Sequence, residues 1–148
     1  MFKHILIPTD GSKLSEAALR AGMQLAQEQG ALVTALYVMP DYTAMIYGAE
    51  AMMAYNSAEM AKSAEKEADQ VLGMATDIAA TLGVDCRTAR VTNISINQAI
   101  IKQAGDSHCD LICMASHGRK GIAGILLGSE TQRVLVNSSI PVLVHRPA

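Results

Sequence analysis

Tryptophan is absent from this chain of 148 residues, and phenylalanine occurs once. Four tyrosines complete the aromatic set, which leaves little material for stacking on nucleic-acid bases. Charge of one sign is lacking too: 12 basic against 14 acidic residues give a formal net charge of −2. A general nucleic-acid binder shows a basic excess or stripe, so no nucleic-acid partner is expected. The three cysteines are an odd number without a paired spacing, which argues against a secreted disulfide scaffold. No apolar run approaches the ~18 residues that a membrane span needs. The first apolar stretch, Ile5-Leu6-Ile7, stops at Pro8 and is too short for a signal core. With half the residues hydrophobic and 18% charged, disorder is ruled out. The expectation is a soluble cytoplasmic protein whose residues 1–148 form one domain.

Alanine, leucine, isoleucine, valine and nine methionines must build the core. His4 to Pro8 is short, continuous and β-branched, which suits a strand buried on both faces. Asp10-Gly11-Ser12 marks a turn, and Ser12 caps a helix carrying Leu14, Ala18, Ala21, Leu25 and Ala26 as far as Gly30. A second strand runs from about Ala31 to Val38. From Pro40 to about Asn56 the periodicity is lost. This is either a functional loop or a methionine-rich patch packed on a neighbour.

Asn56 and Glu59 resemble a capping box that opens a long amphipathic helix closing at Gly83. Its apolar face holds Ala64, Ala68, Val71, Leu72, Ala75, Ile78, Ala79 and Leu82. Cys86 to Val91 reads as an edge strand, and Ser95 caps a short helix carrying Ile96, Ile100, Ile101 and Ala104 as far as Gly105. Asp110 to Ala115 is a second central strand. Ser129 and Gln132 suggest another capping box, for a helix anchored by Val134 and Leu135. Pro141 opens the last strand, which ends at His145. Such alternation signals βαβ units, hence a flavodoxin-like or Rossmann-like open parallel sheet with helices on both faces.

In such sheets ligands bind beyond the carboxyl ends of the strands, where strand order reverses. Two strand ends carry unusual chemistry. The first is Pro8-Thr9-Asp10-Gly11-Ser12, and the second is Ala115-Ser116-His117-Gly118-Arg119-Lys120-Gly121, followed by Gly128-Ser129. Glycines let backbone amides approach oxygens, and the first amides of a helix lack internal partners. Gly128, Ser129, Glu130 and Thr131 form such an anion cradle, with His117, Arg119 and Lys120 in the same loop. Glu130 is discordant, because its carboxylate must point away from any phosphate. Neither Gly-x4-Gly-Lys-Ser/Thr nor Gly-x-Gly-x-x-Gly after the first strand occurs. On glycine spacing alone, a surface turn before a capped helix is the favoured explanation of the pattern. Asp10 can likewise be an Asx-turn or a helix cap.

Cys109 and Cys113 fall on one strand-period face, without a partner at zinc-ligand spacing. His4, His108 and His145 are scattered, and Met23, Met60 and Met74 read as core residues of helices. The Lys62, Glu65, Lys66, Glu67 and Asp69 cluster reads as a solvated helix face.

Three motifs, in order and spanning essentially the whole chain, resemble the universal stress protein family. They are Ile5 to Ser12, the loop from Ala115 through Gly118 to Gly128-Ser129, and Ser139-Ile140-Pro141-Val142-Leu143-Val144. The loop is similar to the family's Gly-x2-Gly-x9-Gly-Ser/Thr pattern, with Ala115 in place of the first glycine. The resemblance implies a five-stranded parallel sheet of order 3-2-1-4-5, a homodimer, and ATP or AMP as ligand. Carried over by position, Asp10 holds the ribose hydroxyls or a magnesium ion that accompanies the nucleotide. Pro8, Thr9 and Met114 line the adenine and sugar pocket, with Ala115 beside the ribose, and the backbone of Val38 reads the adenine edge. Gly118, Gly128, Ser129, Glu130 and Thr131 meet the phosphates; proximity adds His117 and Arg119.

No residue stands out as a catalytic base, so weak ATP hydrolysis is the most this site implies. The leading expectation is a nucleotide-binding stress-response module that signals to an unidentified protein partner. The alternatives are a dimeric interaction module that binds no nucleotide, and a slow ATPase. The last strand is the expected dimer edge.

Overall fold

Four short apolar runs and one polar run extend into strands, and amphipathic segments between them coil into helices. The computed structural model describes residues 1–39, 50–118 and 126–147, and only the backbone of 50–57. The strands are β1 (His4–Pro8), β2 (Leu32–Met39), β3 (Cys86–Thr92), β4 (Leu111–Ala115) and β5 (Val142–His145). The helices among the described residues are α1 (Lys13–Gln29), α2 (Glu50–Leu82), α3 (Ile96–Asp106) and α4 (Ser129–Asn137). All neighbouring strands pair in parallel, in the order β3-β2-β1-β4-β5. The expected sheet is therefore the observed one.

Alternate residues of the central strands feed two separate cores, because side chains along a strand point to opposite faces. Ile5, Ile7, Val33, Ala35 and Cys113 pack beneath α1 and α2 with Leu19, Met23, Ala68, Leu72 and Ala75. Leu6, Leu36, Ile112 and Met114 pack beneath α3 and α4 with Ile100, Ala104 and Val134. The polar strand β3 lies at one edge and alternates between half-buried and exposed positions, as its composition predicts. Asp110 fastens the sheet at its lower end, where Oδ2 accepts from Lys3 N at 2.9 Å and Oδ1 from His4 N at 3.0 Å.

Several local expectations are corrected. Helix α2 begins at Glu50, so Asn56 falls inside its second turn and opens nothing. Residues 40–49 of the aperiodic stretch lie outside the described residues. The buried stripe of α1 is Ser15, Ala18, Leu19, Gly22, Met23 and Ala26, while Leu14, Ala21 and Leu25 are only half-buried. Gly105 lies within α3, and the left-handed residue that turns the chain afterwards is His108, at φ 56°. Cys109 and Cys113 belong to opposite cores, because Cys109 precedes β4 and does not share its alternation. Ile96, Leu135 and Met60 are exposed, since each helix buries a stripe narrower than its apolar residues suggest.

Candidate functional site

The order β3-β2-β1-β4-β5 reverses direction between β1 and β4, so their carboxyl ends flank the crevice where open sheets bind ligands. Into that crevice β1 delivers Thr9 and Asp10, and β4 delivers Ser116, His117 and Gly118.

The β1 loop is held by hydroxyls. Gly11 takes φ 81°, a conformation open to glycine without strain, and lets Ser12 N donate to Asp10 Oδ1 at 2.9 Å. Ser12 Oγ accepts from Ser15 N at 3.2 Å and caps α1 as expected. Ser15, which the sequence reading missed, is the hub: its hydroxyl donates to Ser12 O at 3.0 Å and lies 3.1 Å from Thr9 Oγ1. Thr9 and Ser15 are both buried. Asp10 is thus an Asx-turn residue whose second oxygen, Oδ2, faces Gly118, where a Cβ would stand only 2.8 Å away.

The β4 loop meets the start of α4. Gly128 N donates to Ser116 O at 2.7 Å, and the buried Thr131 hydroxyl donates to Ala115 O at 3.0 Å. A Cβ on residue 128 would approach Ser116 O to 3.3 Å and His117 Cα to 3.4 Å, so glycine permits this contact. Gly128 is the N-cap and Ser129 the first helical residue, which removes the expected Ser129–Gln132 capping box. Gln132 Nε2 instead donates to Leu127 O at 2.9 Å. The first rung of the helix is Gln132 N to Gly128 O, so the amides of Ser129, Glu130 and Thr131 precede it, and the N-cap glycine makes no side-chain cap bond. His117 Nδ1 lies 3.1 Å from Ser116 Oγ, and its buried Nε2 has no hydrogen-bond partner among the described residues.

Glu130 turns its carboxylate aside. Its Oε2 accepts from Asn97 N at 2.8 Å and Asn97 Nδ2 at 3.1 Å, and its Oε1 accepts from Arg133 Nη1 at 2.9 Å. Asn97, a residue without any sequence signal, thereby joins α3 to the cradle helix. Ser95 is the N-cap of α3, but its hydroxyl caps no amide.

Val38 lies beyond the end of β1. Leu36 O accepts from Thr9 N at 2.9 Å, whereas Met39 O accepts from Asn93 N at 3.2 Å on the opposite side. By this alternation the amide and carbonyl of Val38 face the β1 side, past the last pairing of Pro8 with Leu36. Met114 is buried in the core under α3 and α4 and does not stand open to the crevice. Pro8 and Ala115 end their strands beside the crevice. Arg119 and Lys120 lie outside the described residues.

The described residues include no cluster of three or more metal-ligating side chains. Two open grooves lie elsewhere. One of about 300 Å³ runs between α1 and α2 beside Arg20, Met74 and Leu82. The other, of about 340 Å³, opens at the lower end of the sheet beside His4, Arg87, Ser107 and His108. His4 is buried there with Nε2 2.7 Å from Thr34 Oγ1. Burial, with the Arg87 charge adding to it, lowers its pKa. Neither groove includes a predicted site residue. No helix among the described residues is long and apolar enough to cross a membrane.

Comparison with known proteins agrees with this geometry. The model of the universal stress protein family matches residues 1–146. Universal stress protein MJ0531 of Methanocaldococcus jannaschii is 34% identical over 145 residues, covering 97% of this chain and 82% of that protein. The solved structure of protein MJ0577 from the same organism superposes with a TM-score of 0.86 at 29% identity, covering 100% of this chain and 98% of that one. A universal stress protein in complex with cAMP superposes with a TM-score of 0.74 at 22% identity, covering 99% of each chain. One from Archaeoglobus fulgidus in complex with dAMP reaches 0.70 at 16% identity, covering 99% of this chain and 98% of that one. At those last two identities the likeness is one of fold. On the match over residues 1–146 and the 34% relative, the chain belongs to the universal stress protein family.

Proposed function

We propose that this chain binds an adenine nucleotide, ATP or AMP, across the ends of β1, β2 and β4, and that occupancy of the site carries a stress-response signal to a protein partner. The observation that carries this reading is the double close approach at the crevice. Side chains on residues 118 and 128 would press on Asp10 Oδ2 at 2.8 Å and on Ser116 O at 3.3 Å, at the place where the first amides of α4 precede its first helical rung. A phosphate group suits three such amides and a helix dipole. The buried Nε2 of His117 is one further polar atom without a hydrogen-bond partner among the described residues. The universal stress proteins solved with cAMP and with dAMP share this fold.

In this arrangement Asp10 takes the ribose hydroxyls through Oδ2, and it is the residue that would hold magnesium carried in by the nucleotide. Pro8 and Thr9 border the sugar, Met114 floors the pocket, and the backbone of Val38 meets the adenine edge. The small side chain of Ala115 stands beside the ribose, and Gly118, Gly128, Ser129, Glu130 and Thr131 present backbone to the phosphates. His117 and Arg119 flank them. We read the site as one that binds its ligand and does not turn it over efficiently.

The test is mass spectrometry of the nucleotide released on denaturing the purified protein, beside a Gly128→Val control. The residue at 128 has φ −66°, which valine adopts, so the control changes the cradle and leaves the backbone unstrained. ATP or AMP released from the native chain and not from the control supports the reading. Neither released, and no heat on titration with either, removes it.

The same chain is proposed to form a homodimer through β5. That strand is a sheet edge, Leu143 on it is 39% exposed, and Val136 on α4 is 81% exposed. An uncovered apolar edge invites a second chain. Sedimentation that finds only monomer overturns this part.

A further inference from the structure

We propose that Glu130 limits how much phosphate charge the cradle accepts, a reading that rests on nucleotide binding at this site. Glu130 occupies the first turn of α4, whose opening amides form the cradle. Its carboxylate also receives both the amide and the side-chain nitrogen of Asn97, in the first turn of α3. One negative charge therefore sits between two helix N-termini, where α3 receives no cap from Ser95. A helix N-terminus offers a positive end of roughly half a charge. A carboxylate placed there uses the same potential that attracts a phosphate, and the offset grows with each further charge on the ligand. Arg133 compensates only in part, because its side chain is 59% exposed and the pair is screened by water.

Asn97 supplies the second half of the device. It holds Glu130 Oε2 on α3, away from the amides of Ser129 and Thr131. With that hold loosened, the carboxylate is free to swing toward the ligand. Two substitutions thus move selectivity in opposite directions. Glu130→Gln removes the charge yet keeps an oxygen for the Asn97 amide. Asn97→Ala keeps the charge and removes one of its two anchors on α3.

The measurement is isothermal titration of AMP and of ATP into the full chain without divalent metal, at low salt, for the native protein and both variants. Glu130→Gln is expected to raise ATP affinity relative to AMP by about two- to fivefold, the range of one charge at a helix N-terminus. Asn97→Ala is expected to lower that ratio, and both effects shrink in high salt. A merely structural role for Glu130 would change both affinities by one common factor, and that result overturns the proposal. So does a ratio that falls in Glu130→Gln. A native chain that binds neither nucleotide overturns the nucleotide reading, and this inference with it. A native chain that binds both, with a ratio indifferent to Glu130, overturns the inference alone.

Discussion

Asp10 and Gly118 stand so close across the β1–β4 crevice that a Cβ on residue 118 would lie 2.8 Å from Asp10 Oδ2. The approach ties two loops more than a hundred residues apart in the chain. Gly118→Ala must displace that carboxylate oxygen, while Gly118 itself is exposed and adds little to the core. Stability should change by less than about 1 kcal/mol, as for other surface positions. Nucleotide affinity should fall by roughly tenfold, the effect of one lost charge-assisted hydrogen bond. Calorimetric titration that finds native affinity in the variant would show that Asp10 does not meet the ligand.

Gly22 of α1 lies directly on the sheet. An added Cβ would meet Ile7 Cδ1 at 2.6 Å and Cys113 Sγ at 3.2 Å. Gly22→Ala therefore overpacks the core, at a cost of about 1–3 kcal/mol. Ile7→Val deletes the atom in conflict and costs about 0.5–1.5 kcal/mol alone. In the double variant the two losses should fail to add, because the cavity and the new methyl coincide. Urea unfolding of the three variants checks this, and strictly additive losses would sink it.

Stability should depend on pH through His4. Its folded pKa lies below the ordinary 6.5, chiefly because burial disfavours the charged ring. Below pH 6.5 the unfolded chain takes up a proton that the folded chain resists. The His4 contribution is therefore complete above that pH and is lost as pH falls through the lower folded value. Asp110 adds a second, more acidic limb. Burial alone would raise its pKa, but the amides of His4 and Lys3 hold it below 3.8. Its contribution is present above 3.8 and disappears as pH falls through the folded value. Unfolding curves from about pH 3 to 8 should show both limbs, and His4→Gln should flatten chiefly the upper one. An unchanged upper limb in that variant would assign it elsewhere.

The three cysteines should separate by reactivity. Burial pushes the Cys113 thiol up to about 11, and burial together with the Asp110 charge pushes that of Cys109 up to about 11. Cys86 is half-buried, and its thiol is raised for the same first reason. The thiolate is the reactive form, so all three should be slow at about pH 8. Titration with a disulfide reagent should find at most Cys86 before unfolding and all three cysteines after it. Rapid labelling of Cys113 in the folded chain would contradict its burial.

Much of this was legible locally. Ser12 and Gly30 bound α1 as expected, because a cap bond and a left-handed C′ residue act within one turn. Four of the strands were legible as short apolar runs, and Gly128 as the residue that precedes a helix. Errors fell where a local signal had a rival. Asn56 and Glu59 imitate a capping box inside a helix that begins at Glu50. Ser129 and Gln132 do the same one residue after the true cap, Gly128. Gly22 and Ser15 were passed over as core because periodicity is read from large apolar side chains, yet close packing and a hydroxyl hub need small ones.

The sequence by itself determined the kinds of element, their order, the family motifs and the residues available at the two glycine-bearing loops. These depend on periodicity, caps and backbone freedom, all set within a few residues. Tertiary structure alone decided that Asp10 faces Gly118, that Val38 outruns β1, and that Asn97 claims the Glu130 carboxylate. Those contacts join residues that are distant in the chain. Their geometry follows from strand order and register, which bring the ends of β1, β2 and β4 to one side of the sheet.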